Sequence, residues 1–160
     1  MPRNERGAEG LILSCLPDAA TQSVALLAQN AVTAEFGLML TAGQAAELAA
    51  AQGEALRESR RIDFSGGIGP QLIRTFAGSP YLRQRGYADT LAALTRLFYR
   101  AKSESDDRVD DEGLLQIMRE RFDGCGGDTD ALADALAAFA RQVRAARPDP
   151  LRNIGPTEDE

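Results

Sequence analysis

Tyr87, Leu91, Leu94, Phe98 and Ala101 recur at spacings of four, three, four and three. Only a helical repeat brings those five positions onto one face, and a stripe that apolar has to be covered by other elements. A helix of about Tyr87 to Glu104 therefore constrains the rest of the chain, which must supply its partners.

The flanking segments read as helices too. Asp18 is placed to cap a first helix of about Ala19 to Glu35. Gly37 follows with the left-handed conformation that ends many helices, and Leu38 can fold back on the last turn. Thr41-Ala42-Gly43-Gln44 is a capping box and opens a helix of about Ala42 to Ser59. Its face carries Ala45, Leu48, Ala49, Gln52 and Leu56. Pro70, suited to a first helical turn, opens a short helix to about Ala77 that turns Leu72, Ile73 and Phe76 inward. Asp110 caps a helix of about Asp111 to Phe122, with Leu114, Met118 and Phe122 facing the core. Asp128 caps a last one of about Thr129 to Ala146, striped by Leu132, Leu136, Phe139 and Val143. Arg60 to Ser65 alternates instead and reads as extended. The expected fold is all-α: a single compact domain of about six helices with a short irregular or extended segment near 62–66. Residues 1–17 are expected to be a mobile N-terminal segment, 18–147 the helical domain and 148–160 an acidic tail.

Composition narrows the function classes. The chain of 160 residues has no histidine, which removes imidazole acid–base chemistry and histidine metal sites, and its two cysteines cannot build a four-cysteine zinc site. A net charge of −6 argues against a nucleic-acid surface. The polar start and the short apolar stretch from Leu11 to Leu16 give no secretory signal, and no run reaches the length of a membrane span. A cytoplasmic setting with free Cys15 and Cys125 is the expectation, with no metal, no cofactor, no nucleic acid and no membrane.

Several blocks then carry a resemblance. Phe36-Gly37-Leu38-Met39-Leu40-Thr41 is similar to a YGLxLT turn, and Arg61 to Ile68 to an R(V/I)EFGGGI block. Ser79-Pro80-Tyr81, Tyr87-Ala88-Asp89-Thr90-Leu91, Leu97-Phe98-Tyr99 and Phe122-Asp123-Gly124 follow in order. From about Ala19 to Ala138 the chain resembles a bacterial family of small cytosolic proteins known only as a domain of unknown function. The resemblance implies a shared fold and assigns no activity.

Four constellations are candidates for chemistry. The glycine run from Ser65 to Pro70 feeds a helix, so its amides can face an anion. Arg57, Arg61, Gly66, Gly67, Gly69 and Arg74, with Arg60 nearby, are the candidate binding residues for phosphate or carboxylate. The run lacks the lysine ending of a P-loop and the flanking strand of a dinucleotide fingerprint. Asp63, Tyr81, Tyr87, Asp89 and Tyr99 could serve acid–base chemistry only if brought into one cleft. The acidic run from Glu104 to Glu112 fails the EF-hand register and reads as a solvated connector plus cap. Asp123 to Asp128 reads as a flexible turn, with no cation beside Cys125 to activate it. No catalytic residue is assigned. The leading expectation is a non-catalytic protein acting through a protein partner or self-association; the alternative is a small-anion module on the glycine turn.

Overall fold

The computed structural model describes residues 19–62 and 67–146, and these are helical with no strand among them. Seven helices follow in order: α1 (Ala19–Ala28), α2 (Asn30–Thr33), α3 (Ala42–Glu58), α4 (Gly69–Phe76), α5 (Tyr87–Glu104), α6 (Asp111–Gly124) and α7 (Thr129–Ala145). A single 3₁₀ turn, Ala34–Phe36, extends α2. Gly66 and the rest of 63–66, where the extended stretch was expected, lie outside the described residues, as do Cys15, both terminal segments and the Asp18 cap.

Helix α5 organises the packing. It lies against α3 on one side and α7 on another, while α4 and α6 pack on it and on each other; α1 covers α3. The stripe that demanded burial is buried throughout: Tyr87, Leu91, Leu94, Phe98 and Ala101 are each 2% exposed or less. Phe76 of α4 and Phe122 of α6 meet edge to face, ring centroids 5.3 Å apart, which locks those helices together.

The first predicted helix is interrupted. After α1 the chain tightens at Gln29, whose carbonyl accepts from Val32 N–H at 2.9 Å in a three-residue turn. The next residue, Asn30, is engaged ten positions on: its amide donates to Leu40 O at 3.0 Å and accepts from Leu40 N–H at 2.8 Å. A local periodicity argument cannot see a tether of that length.

Helix ends follow the predicted chemistry. Thr41 and Gln44 form both bonds of the capping box. Asp110 accepts from Gly113 N–H, and Asp128 from Asp130 and Ala131 N–H. Gly37 has φ of 77°, and Leu38 N–H returns to Thr33 O with its side chain buried. The loop after α6 closes the same way: Gly127 N–H reaches Phe122 O at 2.9 Å. Asp123, at the start of this turn, is held by Arg119 and Ser79 at 2.8 and 2.6 Å, and Asp128, at its end, caps α7, so the turn expected to be flexible is hydrogen-bonded at both ends.

Candidate functional site

Two regions hold the residues singled out by sequence. The first joins the C-terminal ends of α3 and α5. Both helices end in the same doubly bonded turn, and each places a non-glycine residue in the left-handed region: Arg60 at φ 55° and Asp106 at φ 56°. Arg61 N–H returns to Leu56 O at 2.9 Å, and Asp107 N–H to Lys102 O at 2.8 Å. Arg61 and Asp107 thus occupy equivalent positions one residue beyond those left-handed turns. Their side chains pair in a fork, with Arg61 Nη1 and Nη2 reaching the two Asp107 oxygens at 3.1 and 2.5 Å. Asp107, itself at φ 57°, is held below the usual carboxylate range by the Arg61 hydrogen bond against the opposing effect of burial; the Arg61 and Lys102 charges add to the lowering.

Lys102 is the only lysine in the chain and is buried. Its ammonium donates to Val109 O at 2.8 Å, pairs with Asp111 at 2.9 Å and lies 3.9 Å from Asp107. Burying a cation demands such partners, and the acidic connector supplies them. The run is the largely exposed connector and cap that was expected, and its carboxylates also hold cations. Asp107 holds Arg61 just beyond α3, Asp111 holds Lys102 of α5, Asp110 caps α6, and Asp106 faces Arg144 at 3.4 Å. The hollow between these groups has a volume of about 140 Å³ and is lined by balanced charges.

The glycine connector sits beside this junction. Gly67 and Gly69, its described glycines, pack against core side chains. A Cβ on Gly67, at φ 102°, would lie 2.1 Å from Gln52 Nε2, and one on Gly69 2.6 Å from Leu26 Cδ2. The amides at the start of α4 are served from within: Gly69 N–H donates to Gln52 Oε1 at 3.0 Å, and Ile68 N–H to the Tyr99 hydroxyl at 3.1 Å. Gln52 also donates to Gln22 Oε1 at 3.1 Å, so one buried amide links α1, α3 and α4.

The predicted arginines do not gather at the turn. Arg61 faces Asp107, Arg74 donates to Gln29 Oε1 at 3.1 Å, and Arg57 is exposed on α3. The acid–base group is dispersed as well. Tyr99 serves Ile68, Tyr87 is buried beside Thr33, Asp89 is exposed, and Asp63 lies outside the described residues. Burial raises the Tyr87 phenol above its ordinary range, opposed by the Thr33 hydrogen bond. Among the described residues no three potential metal ligands cluster, and no helix is long and apolar enough to cross a membrane.

The second region is an apolar edge. Phe36 and Met39 flank the Gly37 turn and are 49% and 48% exposed; Val32, one helical turn earlier, is 45% exposed. The loop from 78 to 85 lies alongside. Phe36 Cε1 is 3.9 Å from where a Gly78 Cβ would stand. Gln84 donates to Met39 O at 3.0 Å and accepts from Met39 N–H at 2.7 Å. Asn30 does the same for Leu40, so two side-chain amides clamp consecutive residues as a neighbouring strand would. Tyr81, in the same 78–85 loop, is 44% exposed, its Cβ packed over Gly127.

Sequence reasoning missed Gln52, Lys102, Asn30 and Gln84. Two left a signal: Gln52 is the polar member of an apolar face, and Lys102 is the sole lysine among 18 basic residues. Asn30 and Gln84 left none, because their partners are 10 and 45 positions away.

No curated protein and no solved structure matches the chain. A family model described as "Family of unknown function (DUF6323)" matches residues 25–149, a span that holds the charged junction, the glycine connector and the apolar edge, and the chain belongs to that family.

Proposed function

We propose that the protein works without catalysis, by docking a protein partner on the apolar edge formed by the 36–39 turn and the 78–85 loop. One observation carries the reading: large apolar side chains stand half exposed on backbone held by four side-chain amide hydrogen bonds. A loose turn would pay ordering entropy on binding, whereas this one is already fixed. Aromatic residues and methionine are also the types enriched where proteins meet. The reading belongs with a reducing, cytoplasmic setting, which suits the free thiol of Cys125. An anion on the glycine connector is the weaker reading, because the Ile68 and Gly69 amides already serve Tyr99 and Gln52.

The test is site-specific photo-crosslinking in the host cell. A photoreactive residue at position 39 should capture one protein species at defined stoichiometry. The same residue at exposed Glu47 should not, and Phe36→Ser should remove the adduct while leaving the thermal midpoint nearly unchanged. Equal capture at both positions, or none at 39, would overturn the proposal.

A further inference from the structure

The charges beside the apolar edge narrow the partner's chemistry. Arg83 and Arg85 flank Gln84, the residue whose amide seats Met39. Both arginines are exposed, and neither forms a hydrogen bond or ion pair among the described residues. Three other arginines are committed to carboxylates: Arg61 holds Asp107, Arg119 holds Asp123 and Arg144 faces Asp106. Glu35, next to exposed Phe36, forms no ion pair with either arginine, and Asp123 beside the 78–85 loop is held by Arg119 and Ser79. A molecule of net charge −6 therefore carries two exposed arginines on either side of the residue that holds Met39, in the loop beside half-exposed Phe36 and Met39. Guanidinium forks favour carboxylates, and they steer an acidic partner that the rest of this acidic surface would repel.

Resting on the docking reading above, we infer that the occupant of this edge is an acidic amphipathic segment of another protein. Its apolar side chains would pack on Phe36, Met39 and Tyr81, and its carboxylates would face Arg83 and Arg85. Two uses of the edge are separable: apolar contact holds the complex, and charge selects the partner. Raised salt should slow association more than it speeds dissociation.

The experiment compares crosslinking from position 39 in the full chain with and without Arg83→Glu/Arg85→Glu. Arg141→Glu, an exposed reversal on α7, serves as control. The crosslinked partner peptide should carry net negative charge, and the double reversal should cut the yield by about tenfold or more while the control leaves it intact. Arg83→Gln/Arg85→Gln, which removes charge without adding repulsion, should give an intermediate loss, and circular dichroism confirms that each variant is folded. A neutral or basic crosslinked peptide, or undiminished yield after reversal, overturns the acidic partner while leaving the docking reading in place. Absence of any adduct at position 39 in the unaltered chain overturns both.

Discussion

Replacing Gln52 with leucine keeps the volume of the side chain and removes its amide. The consequences can be counted. Gly69 N–H, buried at the start of α4, loses its acceptor, and buried Gln22 loses the donor at its Oε1. A buried polar group left without a partner costs about 1–3 kcal/mol. Gln22 has a further interaction and is not wholly stranded, so the total should be about 3 kcal/mol. For a domain of this size that is about 6–12 °C in thermal midpoint. Urea titration followed by far-ultraviolet circular dichroism should show the midpoint fall with an unchanged slope. Gln22→Leu tests the link from the other side: the double variant should cost less than the sum of the singles, because the bond between them is lost only once. A loss below about 1 kcal/mol in Gln52→Leu would refute the reasoning, since it would mean the Gly69 amide finds water and Gln52 is not what caps α4.

Other positions offer independent checks. Arg60 has φ of 55° and no hydrogen-bond partner for its side chain among the described residues, so Arg60→Gly should stabilise by about 0.5–1 kcal/mol in the same titration. Gly127→Ala should do the reverse, losing about 2 kcal/mol or more, because φ is 83° and the new Cβ would meet Tyr81 Cβ at 2.7 Å. Asp107 has its pKa lowered in the fold, so its contribution is present above the ordinary carboxylate range and is lost as pH falls through the depressed value. Asp107→Asn should therefore lower the thermal midpoint at neutral pH and converge with the unaltered protein in acid. With the Asp107 side chain 53% exposed, solvent screening should keep that difference within about 1 kcal/mol. Asn30→Ala should cost about 1–3 kcal/mol and speed hydrogen exchange at Leu40, whose amide it now holds.

What the sequence made legible follows from the range of the interactions. The α5 stripe, the Thr41 capping box, the Asp110 and Asp128 caps and the Gly37 turn are each settled within one or two helical turns, and each stands in the structure as read. The glycine block shows where that method stops. A glycine-rich turn before a helix has the same sequence whether its amides face an anion or a core side chain. The choice rests with Gln52 and Tyr99, which come from two other helices, and with the 2.1 Å that a Gly67 Cβ would leave to Gln52. Likewise, arginines at 57, 61 and 74 are clustered in sequence, but α3 ends and α4 begins between them, so their side chains leave in different directions.

The same contrast bears on where function lies. The charges of the α3–α5 junction are mutually satisfied: a buried lysine needs its carboxylates, and Arg61 needs Asp107 to hold two helix ends that close without glycine. Such a cluster is accounted for by folding, and nothing is left over for a ligand to complete. At the apolar edge the accounting runs the other way. Asn30 and Gln84 fix the backbone of Met39 and Leu40, yet only the Leu40 side chain is buried as a result; those of Phe36 and Met39 remain half in water, and Arg83 and Arg85, exposed on either side of Gln84, form no ion pair among the described residues. Folding explains the clamp on Leu40 but not the display of Phe36 and Met39, and that unburied pair on a fixed turn is what the proposed docking reading rests on.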